Sequence, residues 1–129
     1  MKYIFLRVLC FGAFLSLLSS SLYSQTATLD TVQDIQLTKN KFCSVIEVNA
    51  SWNWKNRIPL EKLENCYTAY VDLENKNIGA IIQQEWNIQY VPTVLIFKDG
   101  VEVARFEAGL SMKFSEQEIL DKIELVIKQ

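Results

Sequence analysis

Histidine is absent from this chain of 129 residues, and its absence removes several classes of chemistry. Histidine is the side chain that most often moves protons near neutral pH, and it is the commonest metal ligand. A Ser-His-Asp triad and any other histidine-based acid or base are therefore excluded, and a zinc site is disfavoured. We accordingly predict no metal centre and no cofactor.

An excess of positive charge is also missing. The chain carries 13 basic and 15 acidic side chains, which gives a formal net charge of −2. No basic cluster stands out, so nucleic acid is not an expected partner. Internal repeats and low-complexity segments are absent as well, and the length indicates one domain.

The first 24 residues have the composition of a secretory signal peptide. Lys2 and Arg7 supply a positive start, and residues 8–18 form an uncharged apolar stretch that small serines follow. This stretch is too short to span a bilayer comfortably, which favours an export signal. We predict a signal peptide over residues 1–24 and a mature domain over residues 25–129, in the periplasm or secreted. In the alternative, an uncleaved N-terminal anchor would be the chain's contact with the membrane.

Four stretches of the remaining sequence are rich in apolar and β-branched residues and predict strands. They cover residues 42–50, 66–73, 91–97 and 101–107. The dense apolar content of the first run is typical of a strand that is buried on both faces. Asp99-Gly100 separates the last two runs and predicts a two-residue hairpin. Residues 25–40 predict only a short strand or a turn of helix.

Helical spacing of apolar residues predicts three helices between and after these strands. A short helix starts at Pro59, a second one covers residues 78–86 with Asn75 or Asn77 as its cap, and a last one follows a capping box at Ser115. The first two strands are joined through a helix, so we expect them to be parallel neighbours. The predicted fold class is α/β, with a mixed central sheet, a C-terminal β-hairpin and flanking helices.

Four short motifs resemble sequences of the thioredoxin family, and the order of the predicted strands and helices agrees with it. The resemblance covers residues 42–129. Val91-Pro92-Thr93 is similar to the family's Ile/Val-Pro-Thr, whose proline is cis and faces the active site. Lys98-Asp99-Gly100 resembles its hairpin turn, and Phe106-Glu107-Ala108-Gly109 resembles the strand end before its last helix. Ala50-Ser51-Trp52 resembles the Ala-x-Trp that precedes the redox motif. The resemblance implies a thioredoxin-like fold.

The family's Cys-x-x-Cys motif is missing at the expected place. Asn53 and Asn56 stand where the two cysteines would be, and the segment from Trp52 to Cys66 is shorter than in a typical thioredoxin. Thiol–disulfide exchange needs an attacking thiolate and a resolving thiol, and asparagine offers neither. Glu47 matches a buried acidic residue of the family. It is either a remnant with a raised pKa or, as we favour, a partner of a lysine or of a tyrosine hydroxyl such as that of Tyr70.

Two cysteines remain in the predicted mature chain. In the register that the family alignment implies, Cys43 lies beside Cys66 on the neighbouring strand, as Glu47 lies beside Tyr70. Neighbouring strands are about 4.8 Å apart, which is within reach of a disulfide. A structural disulfide, two buried free thiols and a redox-active pair all remain open, although both cysteines lie at the opposite end of the sheet from Pro92.

We predict an exported thioredoxin-like protein that binds protein or peptide segments, as an adaptor or chaperone-like module. The candidate binding residues lie on two loops: Trp52, Asn53, Trp54, Lys55, Asn56, Tyr90, Val91 and Pro92. In an opposing interpretation Trp52 packs into the core and only Trp54 is exposed. The alternative function is a divergent thiol–disulfide oxidoreductase or isomerase in redox homeostasis, using Cys43 or Cys66. A structural subunit of an envelope assembly is a third possibility.

Overall fold

The computed structural model describes residues 25–129, so the predicted signal peptide and its cleavage site lie outside the described residues. Five strands form one sheet in the order β1-β3-β2-β4-β5. The strands are β1 (Ala27–Thr28), β2 (Cys43–Asn49), β3 (Tyr67–Asp72), β4 (Thr93–Lys98) and β5 (Val101–Glu107). β3 runs parallel to β1 and β2, whereas β4 is antiparallel to β2 and to β5. The predicted mixed sheet with a C-terminal hairpin is confirmed.

The centre of the sheet is β2, and every one of its residues is buried. One of its faces packs with Leu95 and the helices α1 (Val32–Lys39) and α2 (Gly79–Glu85). The other face packs with Tyr70 and α3 (Glu116–Ile127). The apolar density of residues 42–50 predicted this burial on both faces. No helix among residues 25–129 is long and apolar enough to cross a membrane.

The segment before β2 forms both a strand and a helix, where the sequence predicted only one short element. Thr31 accepts a hydrogen bond from the Asp34 N–H at 3.2 Å, and the Asp34 carboxylate accepts one from the Thr31 N–H at 3.0 Å. This reciprocal pair satisfies backbone donors that the first turn of α1 leaves free. Two capping predictions are wrong. Ser115 precedes α3 but makes no capping hydrogen bond with its side chain. The residue before α2 is Ile78, so neither Asn75 nor Asn77 caps that helix.

The connection from β2 to β3, residues 50–66, is called the crossover below. The predicted helix from Pro59 is wrong, because the crossover contains two 3₁₀ helices, Ser51–Asn56 and Leu60–Lys62. Side chains of the sheet instead bond to the backbone at the start of the predicted helix. Glu47 accepts from the Ile58 N–H at 2.6 Å, and the Tyr70 hydroxyl accepts from the Leu60 N–H at 3.2 Å while it donates to the Ile58 carbonyl.

The hairpin between β4 and β5 has the two-residue turn that the sequence predicts. Asp99 and Gly100 both have positive φ, at 51° and 80°, as a type I′ turn requires. A Cβ atom at Gly100 would also lie 2.7 Å from the Lys39 carbonyl oxygen. This turn pairs β5 with β4. The antiparallel pairing of β4 with β2 places the start of β4 beside the end of β2, where Val48 pairs with Thr93.

Candidate functional site

Three loops meet at the end of the sheet where β2 and β5 end and β4 begins, and together they are called the cis-proline edge. They are residues 51–56 after β2, residues 90–92 before β4 and residues 108–112 after β5. Strand directions bring them together, because β2 and β5 end where β4 begins. The Ala108 N–H donates to the Pro92 carbonyl at 3.1 Å, and Asn53 Nδ2 donates to the Met112 carbonyl at 2.8 Å. Each loop is thus bonded to another across the edge.

The Val91–Pro92 peptide bond is cis, and Pro92 is buried. The Thr93 hydroxyl donates to the Tyr90 carbonyl at 2.6 Å and closes the turn that carries this bond. Among residues 25–129, neither the N–H nor the carbonyl of Val91 has a backbone hydrogen-bond partner. Val91 therefore presents a donor and an acceptor that an extended chain could pair with, as at the edge of a sheet.

The large side chains of the cis-proline edge divide into exposed and packed groups. Trp52 is 58% exposed and Tyr90 is 53% exposed, while Lys55 extends into solvent. Trp54 is half-buried and stands edge-on to the Tyr70 ring, with 5.4 Å between the ring centroids. The interpretation in which Trp52 packs into the core and Trp54 alone is exposed is therefore wrong, because the two tryptophans have the opposite placement.

Asn53 and Asn56, which the sequence resemblance aligns with the family's two cysteines, bond to each other. Asn56 Nδ2 donates to Asn53 Oδ1 at 2.7 Å, and Asn53 Nδ2 donates to Asn49 Oδ1 at 3.1 Å as well as to Met112. Asn53 is only 4% exposed. A side chain so buried has little surface to offer a partner, and its amide joins the loop after β2 to the loop after β5. Asn56 is half-buried.

Asn53→Ala is expected to lower the free energy of unfolding by about 1–2 kcal/mol. The substitution leaves the buried Asn49 and the Met112 carbonyl without their amide partner, and an unmatched buried polar group costs this much. Asn56→Ala, which removes a more exposed amide, is the matched control and should cost less than about 1 kcal/mol. Urea unfolding of the two variants measures both values. Equal losses in the two variants would show that Asn53 does not hold the edge together.

Glu47 lies beneath the cis-proline edge and is fully buried. Burial away from water raises its pKa to about 7, and this effect exceeds the opposing ones from the Ile58 N–H, the Asn49 amide and the charge of Arg57. Glu47 is opposite Tyr70 in the strand register, as expected. The expected hydrogen bond between them is wrong: the carboxylate accepts from Ile58 and, at 3.1 Å, from Asn49, while Tyr70 bonds to the crossover backbone.

Two exposed apolar residues of the edge were not identified from the sequence. Leu110 is 99% exposed and Met112 is 41% exposed, and both lie on the loop after β5. The available signal was an apolar pair in a stretch that is otherwise typical of a turn, directly after Gly109. With Trp52 and Tyr90 they place four large apolar side chains at one edge, and such clustering on a surface marks interaction sites.

The cis-proline edge holds no activated nucleophile among the described residues. The Ser51 hydroxyl donates to the Asp72 carboxylate, which also accepts from the Ser51 N–H and the Glu74 N–H. This arrangement joins the ends of β2 and β3 and leaves no strong base for the hydroxyl. Residues 25–129 also contain no group of three side chains placed to hold a metal ion. What the edge offers is apolar surface and the free backbone groups of Val91.

Cys43 and Cys66 form a disulfide, with 4.9 Å between their Cα atoms. Of the three alternatives for this pair, the two free thiols are therefore wrong. The disulfide joins the first residue of β2 to the residue before β3, and Cys43 is paired with Lys98 at the end of β4. It lies at the opposite end of the sheet from Pro92, as the strand order predicts.

Comparisons with solved structures identify the fold. The structure of Fasciola hepatica thioredoxin superposes with a TM-score of 0.61 at 23% sequence identity, and the match covers 77% of this chain and 97% of that one. Thioredoxin from Trypanosoma brucei brucei gives a TM-score of 0.63 at 19% identity, with 83% of this chain and 95% of that chain covered. Scans against protein-family models and curated proteins find no match. These likenesses are ones of structure, and they show that this chain adopts the thioredoxin fold.

Proposed function

We propose that this chain is an exported thioredoxin-fold protein that binds extended protein or peptide segments at the cis-proline edge, without dithiol chemistry there. The observation that carries the proposal is the unpaired backbone of Val91 between exposed aromatic side chains. A peptide that runs past Val91 would pair with its N–H and carbonyl by strand addition. Trp52, Tyr90 and the apolar loop after β5 would then bury apolar groups of that peptide.

The hydrogen bonds of Asn53 and Asn56 support a site without redox chemistry. Asn53 and Asn56 are bonded into the edge, and Asn53 connects the loop after β2 to the loop after β5. The pair therefore has a structural use at the positions where the family has its cysteines. Asn53 fixes the position of the loop after β2 relative to the loop after β5. Such preorganisation of a recognition surface lowers the entropic cost of binding.

Export is part of the proposal. Its motivation is the charged start and the apolar stretch of residues 8–18, which lie outside the described residues. The Cys43–Cys66 disulfide agrees with an oxidising compartment, because disulfides persist in secreted and periplasmic proteins. The proposed location is the periplasm or the exterior of the cell.

A permanently unfolded protein without thiols tests the binding proposal. Reduced and carboxymethylated α-lactalbumin is the probe, and its dissociation constant is measured by titration calorimetry. Trp52→Ala combined with Tyr90→Ala is expected to weaken binding at least about tenfold, because exposed aromatic anchors typically dominate such interfaces. Phe42→Ala is the matched control: it removes an aromatic side chain that is 77% exposed at the opposite end of the sheet. This control should bind within about twofold of the wild type.

Two results would contradict the proposal. Binding that survives the double substitution would place the recognition surface elsewhere, and failure of the wild type to bind the probe would remove the chaperone-like role. The alternative, a thiol–disulfide oxidoreductase that uses Cys43 or Cys66, has its own assay in the reduction of insulin with dithiothreitol. We expect only the background rate. A faster rate that disappears in Cys43→Ser/Cys66→Ser would favour that alternative.

A further inference from the structure

A groove of about 400 Å³ lies beside the Cys43–Cys66 disulfide, away from the cis-proline edge, and is called the disulfide groove. Its walls come from the start of the described chain, from the approach to β2 and from the end of the crossover. The lining residues are Gln25, Lys41, Phe42, Cys43, Asn65, Cys66, Tyr67 and Thr68. A small molecule in this groove would lie next to the disulfide.

Cys43 and Cys66 differ in access and in the pairing of their backbones. Cys43 is 6% exposed and belongs to β2, where its pairing with Lys98 fixes its backbone. Cys66 is half-buried and lies just before β3 begins, after Asn65 with a φ of 70°. A thiolate must approach along the S–S axis with the attacked sulfur accessible, so attack on Cys66 is favoured over attack on Cys43.

The positive charge of Lys41 in the disulfide groove favours attack by anionic thiols over cationic ones. Lys41 lines the groove, is exposed, and holds its ammonium 5.2 Å from the centre of the Tyr67 ring. None of the other seven lining residues carries a charged side chain. A thiolate, and any carboxylate attached to it, is therefore attracted by Lys41; the opposing charge of Asp34 acts on Tyr67 but lies outside the lining residues.

We propose that the Cys43–Cys66 disulfide is a thiol-exchange site at which an anionic low-molecular-weight thiol attacks Cys66 from the disulfide groove. The thiolate forms a bond to Cys66 Sγ, the bond between the two cysteines breaks, and its electron pair leaves on Cys43 Sγ, which takes a proton from water. The product is a mixed disulfide on Cys66 and a thiol on Cys43. Attack by Cys43 on the mixed disulfide restores the starting state and releases the small thiol.

This inference is independent of peptide binding at the cis-proline edge, and its test uses the native protein with small thiols. The protein is incubated with mercaptoacetate, trapped with acid and an alkylating agent, and mapped by mass spectrometry of its peptides. The expected product carries mercaptoacetate on Cys66 and the alkyl group on Cys43. Its rate of formation should not change at urea concentrations below the unfolding transition, because the groove is accessible in the folded protein.

The charge argument is tested with a variant and a second thiol. Lys41→Gln is expected to slow the reaction with mercaptoacetate about threefold at low ionic strength and to leave the rate with the cationic thiol cysteamine unchanged or higher. Lys76→Gln, an exposed lysine outside the disulfide groove, should alter neither rate. Four outcomes would overturn the proposal: an adduct on Cys43, no adduct in the folded protein, a rate that climbs with urea from zero concentration, or equal effects of Lys41→Gln on both thiols.

Discussion

Replacing Cys43 and Cys66 together by serine is expected to lower the free energy of unfolding by about 3 kcal/mol, and the melting temperature by on the order of 10–20 °C. The two cysteines are 23 residues apart in sequence, and their bond encloses β2 and the crossover. In the unfolded chain the two ends of this segment would otherwise move apart freely, and a cross-link restricts that freedom. The disulfide supplies that restriction by closing the loop.

Reductant separates the effect of the disulfide from the effect of the serine side chains. Wild-type protein in dithiothreitol should unfold at the urea concentration of the double variant, and dithiothreitol should leave the double variant unchanged. Circular dichroism during urea titration gives both free energies. A double variant that is within about 0.5 kcal/mol of the oxidised wild type would show that the sheet alone fixes the ends of the crossover.

The fold was predictable because its signals are local and repeat along the chain. The apolar run of β2, the Asp99-Gly100 turn and the motif around Pro92 each specify a structure with few alternatives. The parallel pairing of β2 with β3, predicted from a helix between them, is confirmed even though that connection contains only 3₁₀ helices. The predicted helix in the crossover failed for the opposite reason. Glu47 and Tyr70, distant in sequence, accept hydrogen bonds from the Ile58 and Leu60 N–H groups and hold the chain there in a non-helical path.

The loops of the site were predictable, but the directions of their side chains were not. Whether Asn53 or Trp52 faces solvent depends on the rotation of a six-residue 3₁₀ helix, Ser51–Asn56. That rotation is fixed by the bond from Asn53 to the Met112 carbonyl, which is 59 positions away in the sequence. A pattern within one segment carries no information on such a contact. The same distance hid Leu110 and Met112, which belong to the site only because β5 ends beside Pro92.

The second large effect concerns Glu47 and the dependence of stability on pH. An unperturbed glutamate has a pKa of 4.5, whereas the pKa of Glu47 in the folded protein is about 7. Between these values the folded protein holds a proton that the unfolded chain has lost, so stability falls as the pH rises through this window. Above pH 7 both states are ionised and the loss is complete. One pKa unit corresponds to 1.36 kcal/mol, so ionisation of the buried carboxylate costs about 3 kcal/mol of stability.

Few other groups can obscure this effect. The chain contains no histidine, the usual source of pH dependence near neutrality. The capping hydrogen bonds of Asp34 lower its pKa below 3.8, so its contribution to stability is lost only as the pH falls below the Glu47 window. Burial moves the pKa of Tyr70 upward from 10, above the window. A fall in stability between about pH 4.5 and 7 is therefore a signature of Glu47.

Glu47→Gln is expected to remove this dependence, because the amide keeps the shape of the protonated side chain and does not ionise. Urea unfolding at pH 5 and pH 8 measures the change. Wild type should lose about 2.5 kcal/mol between the two, because much of the unfolded chain is already ionised at pH 5, whereas the variant should lose less than about 1 kcal/mol. Glu64→Gln, which neutralises an exposed carboxylate, should keep the wild-type loss. The test is decided by the difference in the free energy of unfolding between pH 5 and pH 8. The absolute stability of Glu47→Gln is not used, because the substitution also removes a carboxylate oxygen that accepts a hydrogen bond from Asn49. A wild-type protein whose stability is the same at both pH values would mean that its interior accommodates the charge of Glu47 without cost.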